Sequence, residues 1–198
     1  LFGSPGDFAA ATITTRDTDS FKYQALLLLQ DLTTFHLEDK DPTALIHCDL
    51  KRLKFVHRHG VGMEVDGLYL EALSSLEKQY RDYPVSGQAA YEMASFYNEQ
   101  GNIYNPFTNK ELKGAKDKAH SLCLQVITRF PGSEGAINCQ SLKDRITEKN
   151  IHFMLEKAHP PPLPCRALVE FRNIEKIHFR LIQLNEKSRE KAREIEYE

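Results

Sequence analysis

The sequence predicts a mainly α chain, with about six helices in antiparallel hairpins followed by a small, incomplete antiparallel β-element. Three observations predict it. From about residue 18 to residue 150, apolar side chains recur every three or four positions, the spacing of one helical face. The turn phrase Tyr83-Pro84-Val85-Ser86-Gly87-Gln88-Ala89 returns as Phe130-Pro131-Gly132-Ser133-Glu134-Gly135-Ala136. After Lys149 the apolar period changes to two, the period of a strand.

The elements follow in order. Residues 1–17 mix Gly, Pro, Thr and Asp and read as a loose leading segment. Asp19 or Ser20 caps a first helix to about Leu37, with Tyr23, Leu26, Leu27, Leu29, Leu32 and Phe35 as a broad buried stripe. Asp41-Pro42 starts the second, which runs to about His59 with Pro at its first helical position. Its inward face is Leu45, Ile46, Leu50, Leu53 and Val56, and Gly60 and Gly62 stop it. The third begins near Val65–Asp66, carries Leu68, Tyr69, Ala72, Leu73, Leu76 and Tyr80, and ends at Tyr83-Pro84. The fourth spans about Ser86 to Gln100, buries Ala89, Ala90, Met93, Ala94 and Tyr97, and has Gly101 as its C-cap. NIYNPFTN is a loop. The fifth runs from Thr108 or Asn109 to Phe130 on Leu112, Ala115, Ala119, Leu122, Val126 and Ile127. The sixth runs from Ser133 to about Lys149.

The repeated phrase has a physical content. Its aromatic residue closes one helix, Pro forbids that helix from continuing, Ser caps the next, and a small Ala lets paired helices approach. That chemistry resembles tetratricopeptide-type hairpins, although the two copies lie farther apart than the roughly 34 residues usual there. An ordinary helical bundle with two similar turns is the alternative.

Beyond Lys149, Ile151, Phe153 and Leu155 alternate with polar or flexible positions, as do Cys165, Ala167, Val169 and Phe171, and then Ile177, Phe179 and Leu181. AHPPPLP separates the first of these candidate strands from the second. The last two are close enough to form a hairpin through Asn173–Glu175. Residues 186–198 are nearly all charge and read as a solvated helix or a disordered tail.

Composition excludes several classes. Hydrophobic residues make up 41% and charged residues 27%, and the net charge is −2, so there is a core but no basic stripe for nucleic acid. No apolar run approaches the ~18 residues of a membrane span. The four cysteines, Cys48, Cys123, Cys139 and Cys165, show no zinc spacing. Cys123 and Cys139 fall on neighbouring helices and read as small buried apolar residues, with a bridge as the alternative.

No catalytic residue, metal site or cofactor is assigned. In HCDLKRLKFVHRHG, residues 47–60, the metal-capable His57 and His59 point about 200° apart on a helix. The basic group Lys51, Arg52, Lys54 and Arg58 reads as the solvated face of the second helix, with an anionic partner as the alternative. No GxSxG, HExxH or Gly-rich phosphate loop occurs. The aromatics of the third and fourth helices read first as core. The functional alternative is a concave groove that grips an extended peptide or a neighbouring sandwich, and its candidate partner-binding residues are Tyr97, Tyr104, Asn105 and Phe107.

IHFMLEKAHPPPLPCRALVEFRNIEKIHFRLIQL resembles the start of the first macroglobulin-like β-sandwich of large bacterial alpha-2-macroglobulin-family proteins. DKDPTALIHCDLKRLKFVH and GQAAYEMASFYNEQGNIYNP resemble phrases of the helical region that precedes it. The resemblance covers roughly residues 18–185 and rests on structural motifs. It implies a non-catalytic N-terminal interaction or scaffold fragment of a protease-trapping protein, periplasmic or in the cell envelope, with a lipid anchor through a missing N-terminus. None of the four cysteines begins the Cys-x-Glu-Gln thioester of that family, so bait and thioester are expected elsewhere. The division implied is 1–17, a helical module 18–150, strands 151–185 and a charged tail 186–198. Expected partners are proteins: the rest of the parent chain, proteases or envelope proteins, or a second copy joined at a strand edge. A self-contained tetratricopeptide-like adaptor of the bacterial envelope is the competing expectation. The macroglobulin reading requires Cys165–Leu184 to be sheet with Val169 and Phe179 covered.

Overall fold

The computed structural model describes residues 1–156 and 166–180. The described residues are mainly helical, with a two-stranded antiparallel sheet after the helices. The helices are α1 (Pro5–Ala10), α2 (Phe21–His36), α3 (Thr43–His59), α4 (Val65–Gln79), α5 (Gly87–Asn102), α6 (Ala115–Arg129) and α7 (Glu134–Thr147). Short 3-10 turns at Pro84–Ser86 and Lys110–Leu112 precede α5 and α6. The strands are β1 (Asn150–Leu155) and β2 (Ala167–Arg172). The chain forms two compact units, Leu1–Thr147 and the residues from Glu148 onward.

In the helical unit each helix packs on its neighbour in sequence, and α5 also packs on α7. The core runs through Ile46, Leu50 and Leu53 of α3, Tyr69, Leu73 and Leu76 of α4, Ala89, Ala90, Met93 and Ala94 of α5, and on to Ala119, Cys123, Val126, Ala136, Cys139 and Leu142. The inward face expected of α3 is buried in full. On α4, Leu68 departs from its expected place and is exposed.

The two copies of the turn phrase meet in space. A Cβ on Gly135 would stand 2.6 Å from the carbonyl carbon of Gly87, so only glycine allows α7 to approach α5 this closely. Asn138 Nδ2 donates to Gln88 Oε1 at 3.2 Å across the same contact. Ser133 caps α7 as expected, its Oγ accepting the Ala136 N–H at 3.2 Å. Ser86 does not cap α5. The preceding 3-10 turn already holds it in helical conformation (φ −61°, ψ −23°), and its buried Oγ finds no hydrogen-bond partner among the described residues.

Several expectations need correction. Residues 1–17 are not uniformly loose, because Pro5–Ala10 is helical with Phe8 buried. Ser4 Oγ accepts from the Asp7 N–H at 3.2 Å and the Asp7 carboxylate accepts from the Ser4 N–H at 3.1 Å, a reciprocal cap. Gln30 Nε2 donates to the Phe8 and Ala11 carbonyls, fixing the other end of α1 to α2. The expected stripe of α2 is only partly buried: Tyr23, Leu26, Leu27 and Leu29 are half-buried, and Leu32 and Phe35 are exposed. Its leucines follow one another around the helix, so one packed face leaves others in water. Gly101 is not a C-cap: it lies inside α5, where the Lys116 side chain comes close to its Cα. Gly114, in the left-handed region at φ 81°, delays α6 to Ala115. Arg52 is not on a solvated face. It is 1% exposed, beside buried Asp49.

In the β unit, Ile151 stands opposite Phe171 and Phe153 opposite Val169. The expected hairpin through Asn173–Glu175 is not formed. Asn173 turns left-handed (φ 56°) after β2, and its Nδ2 donates to the Glu148 carbonyl at 2.9 Å, tying the end of β2 to the start of β1. Residues 176–180 are not strand, and the rest of the third candidate strand lies outside the described residues, as do AHPPPLP, Cys165 and the tail 186–198. Val169 is half-buried. Phe179 touches Phe153 at 5.8 Å between ring centroids but is 63% exposed. The apolar positions Ile151, Phe153, Leu155 and Phe171 are exposed as well, so the covering the sequence leads one to expect is not found among the described residues.

Candidate functional site

The four candidate residues do not form one cluster. Tyr97 is half-buried on α5, with its ring edge-on to Phe96 at 6.0 Å and the Lys118 Nζ 5.5 Å from its centroid. It lines a cleft of about 240 Å³ with Leu70, Phe96, Glu111, Leu112 and Lys118. Tyr104, Asn105 and Phe107 do not line that cleft. They belong to the turn that follows α5.

Two asparagines build this turn. Asn105 Oδ1 accepts the Phe107 N–H at 2.9 Å, Asn109 Oδ1 accepts the Asn105 N–H, and Asn109 Nδ2 donates to the Ile103 carbonyl at 2.7 Å. Asx side chains substitute here for backbone partners. The folded turn holds Phe107 out at 87% exposure, with Ile103 and Tyr104 exposed beside it. The role of Asn105 is therefore to shape the turn.

Phe96 also lines a second cleft of about 310 Å³, with Lys54, His57, Tyr69, Glu92, Ser95 and Glu99 among others. His57 stacks flat on Tyr69 at 4.1 Å and its Nε2 lies 2.8 Å from Asp66 Oδ1. Lys54 Nζ pairs with Glu92 Oε1 at 2.7 Å, linking α3 to α5. Burial, together with the Glu92 and Glu99 carboxylates, pushes the Tyr69 hydroxyl far above its usual value, so it stays protonated. His59 tilts against Phe55, and no cluster of three or more metal-capable side chains exists among the described residues.

Sequence reasoning missed two features. One is a stripe on α2: Phe21, Leu28 and Phe35 recur every second turn and are 92%, 60% and 75% exposed. The heptad spacing was legible, but Phe35 was assigned to the buried stripe and Phe21 and Leu28 were left unassigned. The other is the buried Arg52. Its Nε donates to Asp49 Oδ1 at 2.8 Å, its Nη1 to the Leu1 carbonyl at 2.6 Å and its Nη2 to the Gly3 carbonyl at 2.9 Å. Its guanidinium lies 4.9 Å over the Phe8 ring. Burial pushes Asp49 up and Arg52 down, each towards neutrality, and the partner's charge opposes both shifts. No sequence signal separated Arg52 from its basic neighbours.

Among the described residues no helix is long and apolar enough to cross a membrane. Cys123 and Cys139 are both free and buried, and Cys48 is half-buried. Comparison of the chain with family models, with curated proteins and with solved structures finds no match.

Proposed function

We propose that this chain is a non-catalytic protein-interaction and scaffold module. The observation that carries the reading is the α2 stripe of Phe21, Leu28 and Phe35, three large apolar side chains held in water on one face of an ordered helix. Such a face costs solubility and is rarely left on a protein that works alone. Phe107 on its braced turn supplies a second exposed anchor. The sealed thiols of Cys123 and Cys139 support a non-catalytic role, since a nucleophile needs access to its substrate.

The finer proposal is that the module belongs to an alpha-2-macroglobulin-like protein of the bacterial envelope. The antiparallel pairing of β1 with β2 supports it: the pair is apolar on alternate positions, and Ile151, Phe153, Leu155 and Phe171 are exposed, as strands are before the rest of a sandwich closes on them. The exposure of Phe179 weighs against it until such a cover is found. A second reading, a tetratricopeptide-like adaptor, is favoured by the Gly87–Gly135 approach of α5 and α7, which joins the starts of successive hairpins. Under either reading the open strand edges offer a route to pairing with a second copy.

A photo-crosslinking residue placed at Phe35, at Phe107 or at the exposed Lys51 of the whole native protein tests the interaction reading. Discrete protein adducts at Phe35 or Phe107, with none at Lys51, are expected. Equal labelling at all three, or none at any, overturns it. Cys-x-Glu-Gln and further alternating strands in the parent reading frame would support the macroglobulin proposal over the adaptor.

A further inference from the structure

We infer that the cleft bounded by α3, α4 and α5 around Tyr69 is a binding site for a small zwitterion of the α-amino acid class. Three helices contribute to it: α3 supplies Lys54 and Arg58, α4 supplies Tyr69, and α5 supplies Glu92, Phe96 and Glu99. Tyr69 is 4% exposed, and it lines the cleft. Its hydroxyl makes no hydrogen bond to any described residue. Burial, together with the Glu92 and Glu99 carboxylates, keeps that hydroxyl protonated, so it remains a donor whose bond is unmade within the protein. A polar group this deeply buried is ordinarily matched by a partner.

The charges around Tyr69 decide the class of that partner. Lys54 and Glu92 neutralise each other at 2.7 Å. Arg58, one turn after Lys54, and Glu99, two turns after Glu92, are exposed and form no ion pair with any described residue. An anion alone is drawn to Arg58 and repelled by Glu99, and a cation alone meets the reverse. A ligand that carries both charges meets each with its opposite. The carboxylate of an α-amino acid accepts from Arg58 and the Tyr69 hydroxyl, its ammonium donates to Glu99, and an apolar side chain lies against the half-buried Phe96. The volume of about 310 Å³ is at the lower end for ligand sites, which suits one molecule of this size. The cleft shares no residue with the α2 stripe or with the turn that carries Phe107, so the inference stands or falls apart from the interaction reading.

The test is isothermal titration calorimetry of the full chain with L-phenylalanine and with L-leucine. Saturable binding is expected, weakened about tenfold or more when one charge of the ligand is blocked, as in N-acetylphenylalanine or phenylalaninamide. These ligand controls do not depend on the folding of any variant. Arg58→Gln and Glu99→Gln change exposed side chains, keep the helical circular dichroism, and are each expected to weaken binding by about tenfold. Tyr69→Phe removes only the unpartnered hydroxyl and is expected to weaken binding about fivefold with the thermal midpoint unchanged. Lys51→Gln, exposed on α3 and outside the cleft, is expected to bind as the unsubstituted chain does. The inference is overturned if neither amino acid binds up to about 10 mM, if the blocked derivatives bind as well as the zwitterion, or if Arg58→Gln, Glu99→Gln or Tyr69→Phe leaves binding unchanged.

Discussion

Gly135 and Gly67 show how one residue type has opposite meanings in two helices of the same unit. At Gly135 a methyl group would meet the Gly87 carbonyl carbon at 2.6 Å and the Gln88 nitrogen at 2.9 Å, both backbone atoms that cannot rotate away. Gly135→Ala must push α7 off α5 and is expected to cost about 2 kcal/mol. Gly67 lies in α4 with nothing within 4 Å of the added methyl. Gly67→Ala is expected to gain about 0.5 kcal/mol by restricting the unfolded chain. Urea unfolding of the two variants checks both signs, and a loss of stability smaller than 0.5 kcal/mol at Gly135 would contradict the close approach as a constraint.

At the scale of the element, the starts of helices separate in the same way. Ser133 and Ser86 occupy equivalent places in the repeated phrase, yet only Ser133 accepts a backbone N–H. Ser133→Ala is expected to cost about 1 kcal/mol. Ser86→Ala removes a buried hydroxyl that has no partner and is expected to be neutral or stabilising, as thermal unfolding will report. The start of α1 is where acid acts. Hydrogen bonds from the Ser4 side chain and backbone hold Asp7 below its ordinary 3.8, and Thr43 does the same for Asp41. A carboxylate depressed in the folded state contributes stability that is present above 3.8 and lost as pH falls through the folded value. Amide protection of residues 5–10 is therefore expected to decline below pH 3.8 before that of α5 to α7, and Asp7→Asn should remove the early decline. Asp49 shifts the opposite way, so its protonation is not what releases α1. Helices α2 to α7 were legible because each carries apolar residues at helical spacing between turn residues. The six-residue α1 was not, since a helix that short has too few internal hydrogen bonds and is held by Gln30 and the Arg52 stack. Of the candidate site, the turn residues Tyr104 and Phe107 were legible from loop composition. Arg52 was not, because its burial involves the Leu1 and Gly3 carbonyls, some fifty residues before it in the sequence.

At the scale of the whole molecule, the two units differ in what holds them. The core cluster lies wholly between Ile46 and Leu142, inside the helical unit, and links α3 through α7 by direct contact. The two-stranded sheet has no comparable core among the described residues, and a lone strand pair is marginal in water. Cooperative unfolding should therefore belong to residues 1–147. A chain ending at Thr147 is expected to keep its helical circular dichroism and a single sharp thermal transition. Residues 148–180 alone are expected to show no transition and, because Ile151, Phe153, Leu155 and Phe171 are in water, to bind a hydrophobic dye and self-associate through their open edges. Calorimetry of both pieces decides the matter. A shortened helical chain that unfolds gradually would mean that its stability is drawn from residues after Thr147. The strands would then be part of the scaffold and not a surface awaiting its cover.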